Sequence, residues 1–164
     1  MTIRHASTAD IALIRMIAHA TWPTAYASIL SADQLAYMLD RMYSEEALHQ
    51  QFIAKGHRFL LAELNDAAVG FASFEHHVEP DQHTRLHKLY VLPFHQSKGV
   101  GGKLLRAVLE AARLAEDGLV ELNVNRYNRA TQFYLAHGFQ VVRDEVIDIG
   151  NAYVMDDHVM RRPI

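Results

Sequence analysis

Leu86-His87-Lys88-Leu89-Tyr90-Val91-Leu92-Pro93 leads through Phe94-His95 into Gln96-Ser97-Lys98-Gly99-Val100-Gly101-Gly102, and from there into Lys103-Leu104-Leu105. The stretch reads as strand, stop, glycine turn and helix. The strand covers Thr84 to Leu92, and Pro93 ends it because proline has no N–H to give a ladder. The helix covers Gly99 to Glu116, with Leu105, Val108, Ala112 and Ala115 on one face and Leu104 and Leu109 beside them. Glycines in the turn allow close backbone approach and angles closed to other residues. The first amides of a helix have no internal partner and point outward. With the helix dipole they make an anion site suited to phosphate, and Lys98 adds a point charge. The dinucleotide fingerprint G-x-G-x-x-G needs glycine at 104, and the P-loop G-x-x-x-x-G-K-[ST] needs serine or threonine there. Leu104 excludes both. The spacing that fits is Q-x-x-G-x-G, as Gln96, Gly99 and Gly101.

Upstream, Thr2 to His5 reads as a strand. Ser7 and Asp10 form a capping-box-like helix start, followed by Ile11, Ile14, Ile17 and Ala18 at helical spacing, and Pro23 ends or bends that helix. Ser31 with Gln34 starts a second helix with a Leu35, Met38, Leu39, Met42 stripe, and Ser44 with Glu45 and Glu46 starts a third. His57–Leu64 and Ala67–Glu75 form a hairpin about Asn65-Asp66, and polar His76–His83, with Pro80, reads as a loop. Downstream, Leu119–Val124 is a strand and Tyr127–His137 a helix, with Gly138 in the left-handed position that favours glycine. Phe139–Ile147 and Ala152–Met160 pair around Gly150-Asn151. The order predicts an α+β (mixed α/β) fold in one domain, residues 1–164. It is not a doubly wound sheet, since helices do not follow every strand.

Composition narrows the function. The chain has 164 residues, 50% hydrophobic and 21% charged, with net charge −3, an ordinary globular balance rather than a disordered or nucleic-acid-binding one. Cysteine is absent, which excludes disulfides, thiolate nucleophiles and Cys-ligated metals. No apolar run approaches the ~20 residues that span a bilayer, and no secretory h-region follows Met1, so no membrane partner is expected and the cytoplasm is the default location.

The next strand and helix, Glu121-Leu122-Asn123-Val124-Asn125-Arg126-Tyr127-Asn128-Arg129-Ala130-Thr131-Gln132-Phe133-Tyr134, run on to Gly138-Phe139. Here the chain resembles the GNAT superfamily of acyl-CoA-dependent N-acyltransferases. L-x-V-x-P-x-x-Q-x-x-G-x-G looks like its motif A and N-x-A-x-x-F-Y-x-x-x-G-F like its motif B, over about residues 84–140. The resemblance implies a mostly antiparallel twisted sheet, flanked by helices and splayed into a V between Leu86–Leu92 and Leu119–Val124. It implies acetyl-CoA as co-substrate, its pantetheine arm pairing with the backbone of Leu89 and Val91 and its pyrophosphate held over Gln96, Ser97, Lys98, Gly99, Val100, Gly101 and Gly102. Tyr90, Asn123, Asn128 and Phe133 complete the implied cofactor contacts. Tyr134 takes the place of the tyrosine near the thioester sulfur.

The implied reaction is acetyl transfer to a primary amine of a small molecule or peptide, by direct attack in a ternary complex. A backbone N–H of Leu89 or Tyr90 serves the oxyanion, and Tyr134 donates to the departing thiolate. His87 is the first candidate for the base, since imidazole titrates near neutrality. Glu75, His76 and Glu79 are further candidates. Trp22, Tyr26, Glu75 and His77 are assigned to the acceptor side, where Glu79 and Asp81 also attract a cation; packing and solvated charge are the competing readings. The run His76, His77, Glu79, His83, His87 invites a metal, yet no HExxH helix exists and none is expected. The rival function is a non-catalytic acyl-CoA sensor or assembly domain. Asn151–Met160 alternates like a strand, and it either closes the sheet or pairs with a second subunit as a homodimer.

Overall fold

The computed structural model describes all of residues 1–164. Its strands are β1 Thr2–His5, β2 Arg58–Leu64, β3 Ala67–Val78, β4 His83–Val91, β5 Leu119–Asn125, β6 Gln140–Gly150 and β7 Tyr153–Pro163. Its helices are α1 Ile11–Tyr26, α2 Ala32–Tyr43, α3 Glu45–Ile53, α4 Val100–Leu114 and α5 Ala130–Ala136. All seven strands form one sheet in the order β1-β2-β3-β4-β5-β7-β6. Every pairing is antiparallel except β4 with β5. No helix is long and apolar enough to cross a membrane.

Local chemistry accounts for several helix starts. The Ser7–Asp10 box closes on a short 3-10 turn ahead of α1, and Ser31 and Ser44 cap α2 and α3. Gln34 does not close a box in return; its side-chain amide donates to the Val154 carbonyl of β7 at 3.1 Å, fastening α2 to the sheet. Pro23 neither ends α1 nor stands at its end. It lies on the exposed face, where the carbonyl left without a partner meets water. α5 is shorter than the apolar spacing predicts, because Asn125 and Asn128 accept from the N–H of Tyr127 and Ala130 and hold that stretch in turns.

Half of the loop expected at His76–His83 is strand. β3 runs on to Val78 and β4 begins at His83, leaving only residues 79–82 between them. His76 and Thr84 there turn to a buried acid, and exposed His77 reaches it from the surface. Asp117 accepts from the Thr84 hydroxyl at 2.6 Å and from the His77 backbone at 3.2 Å, with the His77 ring 2.8 Å away. β7 is paired on both edges, by β5 and β6, so the Asn151–Met160 segment closes the sheet.

Each face of the sheet carries a core. α4 and α5 cover one, around Leu104, Leu105, Val108 and Phe139. α1, α2 and α3 cover the other, around Ile14, Ile17, Trp22 and Phe71. What positions the site is a break in the middle of the sheet. β4 and β5 pair only at Thr84, Arg85 and Leu86, opposite Val120, Glu121 and Leu122. The next residue of β4, His87, is a bulge: β3 passes from pairing Ser73 with Lys88 to pairing Phe74 with Leu86. A bulge bends its strand and increases local twist. Beyond it β4 and β5 part, and the edge of β4 facing β5 is left without a strand partner.

Candidate active site

The cleft between the parted strands has a volume of about 230 Å³. Leu89 and Tyr90 of β4, Val124 and Asn125 of β5, Asn128 of the turn before α5 and Tyr134 of α5 line its centre. Trp22 and Tyr26 of α1 wall the side covered by α1–α3. The Trp22 ring lies tilted 4.6 Å from Tyr26 and 5.9 Å from Tyr90, and the Tyr26 and Tyr90 hydroxyls lie 3.2 Å apart. Burial raises the pKa of Tyr134, so its phenol keeps its proton through the neutral range.

At the end of β4 the glycine turn has the geometry an anion needs. The first backbone bond into α4 runs from the Lys103 N–H to the Gly99 carbonyl. None of the backbone N–H groups of Ser97 to Gly102 donates to another group of the protein. Gly99 has φ +78°, where a side chain is strained, and a Cβ there would meet nothing. Gly101 lies against the Phe133 ring, which a Cβ would approach to 3.5 Å. The Gln96 side-chain amide donates to the Val91 carbonyl at 3.0 Å and so ties the turn to its strand. Lys98 reaches back over the Phe94 ring, 4.6 Å from its centre.

Of the residues singled out from sequence, Trp22, Tyr26, His87, Leu89, Tyr90, Asn123, Asn128 and Tyr134 line the cleft. Phe133 packs behind the turn, and Val91 is buried beneath it. His77 is held by Asp117 and does not reach the cleft. Glu75 stands behind His87, its carboxylate 3.2 Å from Nε2. His87 also stacks on His57, with ring centres 4.0 Å apart and planes at 9°. Burial, with His57 and Lys88 adjacent, holds the His87 pKa down to about 2. The ring is therefore neutral, and it donates Nε2–H to Glu75.

The ligand-type atoms of His57, Glu75 and His87 lie within 4.8 Å of one another. This is a different set from the histidine run in the sequence. Imidazole lone pairs lie in the ring plane, so two stacked rings direct theirs along parallel lines rather than at a common point.

Arg85, Lys88 and Asp157 also line the cleft and were not among the residues picked from sequence. Asp157 stands on β7 between inward-facing Met155 and Val159, and a carboxylate in that alternation was the available signal. Lys88 is 6% exposed, with Nζ 2.7 Å from the Gln51 side-chain oxygen and 5.6 Å from the centre of the Tyr43 ring. Burial, with Lys55 nearby, brings its pKa down from 10.5 to about 7. Between those values the unfolded chain binds a proton that the folded protein does not, so stability rises with pH. Relative to a Lys88→Met variant, the parent is expected to gain about 2–4 kcal/mol between about pH 6 and pH 10 in urea unfolding. A difference that stays flat with pH contradicts the burial of this amine.

Parted central strands, a free-amide turn opening a helix and a cleft with a buried phenol suit an extended, phosphate-bearing ligand. A model of the acetyltransferase (GNAT) domain matches residues 26–155. The chain is 31% identical over 157 residues to the L-amino acid N-acyltransferase MnaT of Escherichia coli, covering 93% of this chain and 87% of the relative. It is 33% identical over 145 residues to the L-methionine sulfoximine/L-methionine sulfone acetyltransferase of Salmonella typhimurium, covering 86% and 81%. Its fold matches the crystal structure of PaiA N-acetyltransferase from Thermoplasma acidophilum in complex with coenzyme A, with TM-score 0.82 over the whole of both chains at 23% identity. The chain belongs to the GNAT acetyltransferases. It is an acyltransferase.

Proposed function

We propose that this chain, as one domain over residues 1–164, transfers an acetyl group from acetyl-CoA to the primary amine of a small molecule or peptide by direct attack. The observation that carries the reading is the row of undonated amides from Ser97 to Gly102, set where β4 and β5 part. Those amides and the α4 dipole suit a diphosphate. The free edge of β4 past His87 offers backbone groups to an amide-bearing arm, as an added strand would. A backbone N–H of Leu89 or Tyr90 stabilises the oxyanion, and the Tyr134 phenol gives its proton to the departing sulfur. His87 takes a positioning part through its bond to Glu75 instead of acting as the base, because a ring protonating near pH 2 draws few protons at neutrality.

The test is release of free coenzyme A from acetyl-CoA across a panel of primary amines. Amine-dependent release supports transfer. Thioester binding with no release from any amine supports the sensor reading and contradicts this one.

A further inference from the structure

We infer that Asp157 receives the ammonium of the acceptor, and that this acceptor is a primary amine on an apolar body rather than an amino acid. The inference rests on the acetyltransferase reading above and goes further into the same cleft. Asp157 is 0% exposed, yet it lines the cleft and its Oδ1 has no hydrogen-bond partner. Leaving a buried carboxylate oxygen unpaired is costly unless something comes to meet it. Its other oxygen is held: Asn123 Nδ2 donates to Oδ2 at 3.3 Å and to Glu145 at 3.0 Å, while Asn123 Oδ1 accepts from Arg85 at 2.7 Å. Asn123 thus orients Asp157 and leaves Oδ1 for a ligand.

The groups facing Asp157 come from four elements. Glu145 of β6 and Asp156 of β7 disfavour its charge, and Arg85 of β4 favours it. Tyr26 of α1 faces the same space. Burial, the largest effect, raises the Asp157 pKa. Of the two basic groups of the cleft, Arg85 is paired with the Glu121 carboxylate and bonded to Asn123, while Lys88 donates to the neutral Gln51 side chain and burial brings its pKa down to about 7. An acceptor carboxylate would find no cation but the deeply buried, partly neutral Lys88 amine and would face Asp157 itself. The remaining walls are Leu30, Met38, Met42, Ile147, Val154 and Met155. They suit a hydrocarbon chain or ring.

The proton account closes. Asp157 takes one proton from the ammonium and returns it to solvent. The freed nitrogen lone pair forms the C–N bond and the C–S bond breaks, with the electron pair leaving on sulfur. Tyr134 protonates that sulfur, and the second proton shed by nitrogen restores the phenol.

The experiment compares isoamylamine and phenethylamine with leucine and phenylalanine as acceptors, in the parent and in Asp157→Asn, and titrates both proteins with acetyl-CoA. The expected result is kcat/KM at least tenfold higher for the amines than for the amino acids. Asp157→Asn is expected to lower that value at least one hundredfold, with acetyl-CoA affinity within threefold of the parent, and to remove the acid limb of the pH profile. Asp157→Glu is expected to restore part of the rate, which a merely structural role would not produce. Preference for the amino acids, or amine transfer indifferent to Asp157→Asn, overturns the inference and leaves the acetyltransferase reading standing. Failure of every amine to release coenzyme A overturns both.

Discussion

Tyr134→Phe is expected to lower kcat by about one hundred- to one thousandfold while leaving acetyl-CoA affinity within about threefold. The substitution removes one oxygen from a 7% exposed side chain packed on Phe133 and Phe139. Both ring contacts are kept, so stability changes little and the loss falls on chemistry. Thiolate departure is the step that needs a proton, and burial keeps the Tyr134 phenol protonated through the neutral range. The deficit is therefore expected at every pH where the parent works, and a thioester with a more acidic thiol is expected to shrink it. Stopped-flow and steady-state rates with one saturating amine check both points. An unchanged kcat at all pH values removes Tyr134 from the mechanism.

The second large effect is on binding. Gly101 is the second residue of α4, among the undonated amides, and a Cβ there meets only ordinary contacts with Phe133 and Leu89. Gly101→Glu places a carboxylate at a helix N-terminus, where negative charge stabilises the helix by about 0.3–1 kcal/mol. The variant is thus expected to fold at least as well as the parent. Beside a bound diphosphate the same charge is repelled, by about 4 kcal/mol for a unit pair at 4 Å in a surface-like dielectric. Acetyl-CoA affinity is expected to fall at least one hundredfold, with no loss of Tm. Gly101→Ala, which adds bulk without charge, is expected to lose less than tenfold. If glutamate and alanine weaken binding equally, the site does not hold a diphosphate.

The strand, turn and helix around Gly99 were legible because each residue there has its own reason: Pro93 stops a ladder, Gly99 takes a positive φ, and the α4 face repeats at helical spacing. The serine caps were legible for the same reason. What escaped was decided at a distance. His76 and His77 read as loop because they are polar, but their polarity answers Asp117, far along the chain. Pro23 read as an end or a bend, and that the helix runs on through it depends on the exposure of its face, a tertiary fact. The aromatic wall of Trp22, Tyr26 and Tyr90 drew its members from two elements, and only Trp22 and Tyr26 stood out beforehand as acceptor-side residues. Asp157 escaped because an aspartate in an alternating strand reads as a surface residue until β7 is placed inside the sheet. His87 was found at the cleft, while its partners Glu75 and His57, which decide its protonation, converge only through the bulge in β4.

Isothermal titration of the folded protein with acetyl-CoA, set beside the same titration of Gly101→Glu, reaches the core of the account most directly. The account predicts saturable one-to-one binding in the micromolar range for the parent and at least one hundredfold weaker binding for the variant. Folded parent protein that takes up no acetyl-CoA, or binds it as tightly after Gly101→Glu, would contradict it.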